Sequence, residues 1–223
     1  MYDQSNKSNP IPSHEDKPLP TGNRAKSKER NRQKILESAT QLFRERGFEA
    51  ATLRDIARGA GLSTGALFAN FSDKTEIFLV VIADENDRTV RAMREAYDES
   101  LPLQERLRHQ MMRAYETAQI NARLILSAFV MKWSQDQSTP NEVGKMSDLV
   151  RYALRDALAA AVTRKELPAT VNLDAATEIL EDLLFANMRR AFQASDDQGS
   201  FDMAVLNQRV TDQVAVVVAG LKA

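Results

Sequence analysis

From Ile35 to Leu221 apolar side chains return along this chain at the spacing of a helix, and strand-like alternation is absent. Ile35, Leu36, Ala39, Leu42 and Phe43 make the stripe of a first helix over 27–46, and Gly47 follows as a C-terminal glycine should. Thr52, with Asp55 in the first turn, opens a second helix over 53–60 that turns Leu53, Ile56 and Ala57 inward. Gly61 ends it, and Ser63 caps a short third. Asp73 and Glu76 form a capping box for a long helix over 74–99, with Ile77, Phe78, Val81 and Ile82 on its apolar face. Further helices are predicted over 102–119, 121–135, 140–166, 173–194 and 201–221. The last carries Met203, Leu206, Val210, Val214, Val217, Val218 and Leu221 as one seam. The pattern predicts an all-α chain of about nine helices. It divides into a tail at 1–26, a three-helix unit at 27–73 and a larger helical body at 74–223.

Composition narrows the chemistry. The 223 residues include no cysteine, which excludes disulfides, thiolate metal sites and Cys nucleophiles. His14 and His109 are the only histidines, too few for a His-based metal site, so no metal or cofactor is expected. No Gly-rich phosphate loop or metal-ligand spacing occurs, and an enzyme is not expected. No apolar run approaches a membrane span and no signal-like segment opens the chain; the expectation is a soluble cytoplasmic protein without a membrane partner. The Pro- and Ser-rich tail reads as disordered. Net charge is −1, yet 24–74 hold eleven Lys and Arg against six acids. A basic N-terminal part on an acidic remainder suits a nucleic-acid-binding module on a separate body.

The third helix, within "GLSTGALFANFSDK" at 61–74, is lean. Two short helices joined by a glycine turn form a helix-turn-helix, whose second member enters the DNA major groove. Small residues there let the backbone approach phosphate. Ser63 caps that helix. Thr64 and Ala66 are placed to touch base edges, Ala66 through a thymine methyl, with Gly65 between them. The basic run Arg24, Lys26, Lys28, Arg30, Arg32 and Lys34 reads as an arm that follows the phosphate backbone or enters the minor groove.

The stretch "ILESATQLFRERGFEAATLRDIARGAGLSTGALFANFSDKTEIF" at 35–78 resembles the DNA-binding domain of TetR-family transcriptional regulators. The match lies in Ala39-x-x-Leu42-Phe43, Gly47-Phe48, Thr52 with Ile56-Ala57, Gly61-Leu62-Ser63, Gly65, Leu67, Phe71 and Lys74. The resemblance implies that Thr52 touches phosphate, with Arg54 beside it, that Thr64, Gly65 and Ala66 sit in the groove, and that Lys74 anchors phosphate. Phe68 stands where the family usually has Tyr, and Asn70 either reads a base or holds phosphate. Leu67 and Phe71 are read as core.

One such module reads few base pairs, so a homodimer on a palindromic operator in double-stranded DNA is expected, its half-sites spaced by about 34–36 Å or a multiple. The resemblance implies a four-helix interface from the last two helices. Ile179, Leu183 and Leu184 of one and Leu206, Val210, Val214 and Val217 of the other are its expected seam. It also implies a small-molecule effector that releases DNA, with His109, Met112, Tyr115, Phe129, Trp133, Tyr152, Phe185 and Met188 as pocket candidates. The helix over 74–99 is the expected lever between head and body. The function read from the chain is a ligand-released repressor. A regulator without a small-molecule ligand is the alternative, and an enzyme a more distant one.

Overall fold

Ile35, Ala39 and Phe43, each on the same face one turn or so apart, are fully buried, and the architecture of the N-terminal part grows from that stripe. The computed structural model of the protein describes residues 22–134, 142–194 and 201–223. Among them lie α1 (Gly22–Ala50), α2 (Leu53–Gly59), α3 (Thr64–Phe68), α4 (Lys74–Glu95), α5 (Leu103–Ile120), α6 (Ala122–Ser134), α7 (Glu142–Thr163), α8 (Leu173–Ala194) and α9 (Met203–Lys222). Of the tail expected at 1–26, residues 1–21 fall outside the described residues, as does the loop expected at 195–200, while 22–26 are helical. The fold is all-α, an N-terminal helix-turn-helix head followed by a helical body. Helix α1 starts five residues before the pattern predicts, and Gly47, at φ 77°, breaks it where the glycine was expected.

The α1 stripe packs on Ile56 and Ala57 of α2, on Leu67 and Phe71 around α3, and on Ile77, Phe78, Val81 and Ile82 of α4. Leu124 and Ala128 of α6 complete this core, so the head rests on a helix of the body. The turn between α2 and α3 closes as a Schellman motif. Leu62 N–H donates to the Ala57 carbonyl at 2.9 Å and Gly61 N–H to that of Arg58 at 3.1 Å. This requires the left-handed φ of 67° that Gly61 adopts without a Cβ clash. The larger core gathers Leu107, Met111 and Tyr115 of α5, Leu154 and Leu158 of α7, Leu180 and Leu184 of α8, and Leu206, Val210 and Val214 of α9. Arg106, in the first turn of α5, is fully buried. It donates to the Leu101 carbonyl at 3.0 Å and pairs with Glu166 just past the end of α7.

Candidate nucleic-acid interface

Two caps orient the short helices. Thr52 Oγ1 accepts the Asp55 N–H at 3.1 Å and donates to the Asp55 carboxylate at 2.8 Å. That hydroxyl, with the Arg58 and Arg46 guanidiniums nearby, holds the Asp55 carboxyl below its usual range. Ser63 Oγ accepts the Ala66 N–H at 3.1 Å and so starts α3. Helix α3 sinks Leu67 into the core and leaves Thr64, Gly65, Phe68 and Ala69 facing out, with Ala66 half-buried. Phe68 is 55% exposed, an aromatic ring on the surface of the head with no core to fill. Thr52 and Arg54 are exposed on the neighbouring edge of α2. The structure therefore leaves Thr52, Arg54, Ser63, Thr64, Gly65 and Phe68 exposed along the helix-turn-helix, with Ala66 half-buried.

Two expected DNA contacts are instead engaged within the chain. Lys74 Nζ donates to the carbonyls of Phe48, Glu49 and Ala51 at 2.8, 3.2 and 3.1 Å and lies 4.3 Å from the Phe48 ring centroid. An ammonium has three N–H donors, so a phosphate contact would have to displace one of these carbonyls. Asn70 turns inward and its Nδ2 donates to the Ala66 carbonyl at 2.8 Å, closing α3 rather than reaching outward. Its backbone carbonyl accepts from Arg32 Nη1 at 3.3 Å. Nothing in the spacing of the sequence signals the Lys74 engagement, because its partners are backbone carbonyls more than twenty residues away brought close by the fold.

The basic arm is helical from Gly22, with Arg24, Lys26 and Lys28 exposed. A helix with its side chains is about 10–12 Å across and a B-DNA minor groove about 6 Å wide, so this segment cannot enter that groove as a helix. Of the two expected modes, following the phosphate backbone is the one its conformation allows.

In the body, an apolar cavity of about 60 Å³ is lined by Ile82, Asn86 and Thr89 of α4, Ala114 and Ala118 of α5, Ile125, Ala128 and Phe129 of α6, Val150 of α7, and Leu184, Phe185 and Met188 of α8. Phe129 and Phe185 meet edge to face across it at 5.1 Å. Among the expected pocket residues whose side chains are described, these two and Met188 line it. Tyr115 is buried in the core, its hydroxyl donating to the Leu184 carbonyl at 3.2 Å, and burial raises its pKa. Met112 is also core. His109 pairs with Arg108 at 2.7 Å away from the cavity, Tyr152 is 53% exposed on α7, and the Trp133 side chain lies outside the described residues. Asn86 and Thr89 of α4 and the alanines of α5 were missed because small and polar side chains give no signal in a search for Met and aromatics.

The expected seam is corrected as well. Leu184, Leu206, Val210 and Val214 are each 2% exposed or less within a single chain. The valine row of α9 recurs every four residues and packs on α5, which leaves it no surface for a second molecule. Ile179 is exposed, Leu183 and Val217 are partly buried, and Val205 and Val216, which the row does not contain, are exposed on the outer side of α9.

A helix-turn-helix head on an all-helical body is an arrangement found in DNA-binding regulators. Residues 35–81 match the model of the bacterial regulatory proteins, tetR family. The chain is similar to that family over this segment. It is 38% identical over 65 residues to the HTH-type transcriptional repressor AcnR of Corynebacterium efficiens, covering 29% of this chain and 35% of that one. It is 37% identical over 87 residues to the HTH-type transcriptional activator FasR of Mycolicibacterium smegmatis, 39% of each chain. The chain thus spans about a third of the length of the curated relatives it matches. Among solved structures, the transcriptional regulator FadR of Bacillus subtilis in complex with stearoyl-CoA superposes with a TM-score of 0.66 at 16% identity, over 82% of this chain and 96% of that one. At that identity the likeness concerns the fold.

Proposed function

We propose that this protein is a transcriptional repressor that binds a palindromic operator as a homodimer and is released by a small apolar or aromatic ligand. The observation that carries the DNA reading is the exposed face of α3. Thr64, Gly65 and Phe68 stand free of the core on a helix fixed from behind by Leu67, beside the exposed Thr52 and Arg54. The small residues permit close approach to the duplex, and base contacts by Thr64 and Ala66 supply sequence preference. A repressor acts on the chromosome, so it works in the cytoplasm.

Dimerisation falls to the outer sides of α8 and α9, where Ile179, Leu183, Val205 and Val216 remain at the surface. The effector reading rests on the apolar cavity and is supported by FadR, a protein of the same fold that binds stearoyl-CoA. Helix α6 touches both ends of the coupling. Ile125, Ala128 and Phe129 line the cavity, while Ser127 Oγ accepts the Phe48 N–H at 3.2 Å at the end of α1. A ligand that fits the cavity better when α6 has moved shifts the head with it, by as much as its affinities for the two arrangements differ. The lever is then α6 together with α4.

The test is selection of genomic fragments by the purified protein at near-physiological salt. Enrichment of a palindrome with two half-sites supports the dimeric reader. Weak, steeply salt-dependent binding with no enriched sequence would overturn it.

A further inference from the structure

The first thirteen residues of α1 form a helix that its own physics does not favour. From Gly22 to Lys34 the only apolar side chain is Ala25, so this part of the helix has no face to bury. Its first turn carries no acid, and basic residues near a helix start oppose the macrodipole. The charges also stack. Arg24, Lys28 and Arg32 recur every four residues, and so do Lys26, Arg30 and Lys34, which places like charges one turn apart in two rows. The rows are offset by two residues, or about 200° around the helix, and lie on opposite sides.

Only one row is tied to the reading head. Arg32 lies 4.2 Å from the Phe71 ring centroid and donates to the Asn70 carbonyl, both just past the end of α3. Arg24 and Lys28 continue that row outward, about 12 Å and 6 Å beyond Arg32 along the axis at 1.5 Å per residue. Both are exposed, and neither pairs with another described residue.

We propose that only one face of the basic arm is a DNA-binding surface: Arg24 and Lys28 form a helical rail that contacts the phosphates flanking the stretch read by α3, whereas Lys26 and Arg30, expected from the sequence to share that role, lie on the opposite side and contact nothing. This rests on the DNA-binding reading above and adds to it which face of the arm meets the duplex. A polyanion supplies what the isolated helix lacks, a counter-charge for the stacked row and for its N-terminal turn.

Two variants with the same charge change separate the faces: Arg24→Ala/Lys28→Ala and Lys26→Ala/Arg30→Ala. Alanine is a better helix former than either residue, so both should keep the fold, which circular dichroism checks. The duplex most enriched from genomic fragments is the probe, titrated from about 50 to 200 mM salt. Each phosphate contact contributes about 0.9 to the log–log salt slope, so the first variant should lower the slope by about two and the second should leave it unchanged. Equal loss from both pairs, or from neither, while the unmodified protein binds, overturns the rail and leaves the reading of α3 intact. Failure of the unmodified protein to bind any duplex removes both.

Discussion

Lys74 shows how far a residue's role depends on what surrounds it. Its ammonium gathers three carbonyls at the end of α1 that helix geometry leaves without partners. Lys74→Met keeps the stem over Phe48 and removes the donors. It should destabilise the protein by about 1–3 kcal/mol in denaturant unfolding, beyond any effect on DNA affinity. Arg106 is the buried counterpart in the body. Its guanidinium is the first cause that holds the Glu166 carboxyl below its ordinary 4.5, against the desolvation that pushes it up. A carboxylate whose pKa is lower folded than unfolded adds stability that is present above about pH 4.5 and lost as pH falls through the folded value. Glu166→Gln should therefore be less stable than the parent at pH 7. The gap should close on acidification below pH 4.5, read from midpoints of urea unfolding across pH.

At the scale of elements, ends and crossings decide. Helix α2 passes so close to α1 that a Cβ on Gly59 would lie 2.3 Å from Ser38 Oγ. Ser38 Oγ in turn donates to the Ile56 carbonyl at 2.9 Å, so moving it aside costs that bond. Gly59→Ala should destabilise by about 1 kcal/mol despite alanine's better helix propensity. In a Ser38→Ala background the penalty should shrink, and a double-mutant cycle by thermal unfolding measures the coupling. The end of α7 repeats the Schellman geometry of the α2 turn, with Lys165 rather than glycine at φ 61°. Lys165→Gly should then raise stability by about 0.5–1 kcal/mol in the same assay. The sequence pattern predicts this helix to run on to 166, because a lysine at its left-handed position carries no stop signal.

The whole molecule separates two valine faces of one helix. Val214 is fully buried and Val216 is 74% exposed, two residues apart on α9. Val214→Asp should unfold the body, because it buries an unpaired carboxylate. Val216→Asp should leave the monomer folded and weaken the dimer, read as a shift in mass by analytical ultracentrifugation at fixed protein concentration. A folded, dimeric Val216→Asp protein would place the interface elsewhere. The exposed face of α9 is also where periodicity is least informative. Its valines fall on both the buried and the exposed side of the helix, and only neighbouring helices reveal which row is which.

Much of the head was legible from residues alone. The α1 stripe, the Thr52 and Ser63 caps, Gly47 and Gly61 each act within a few residues of chain, and local hydrogen bonding and sterics do not wait for the rest of the fold. The all-helical class and the approximate course of the nine described helices follow from the same short-range periodicity. What a side chain meets across the structure was not legible. That Lys74 caps α1, that the valine row of α9 packs on α5 and that Thr89 and the alanines of α5 and α6 share the cavity wall all depend on helices tens of residues apart. An apolar stripe states that a face must be buried, whereas the partner that buries it is settled only when the helices have packed.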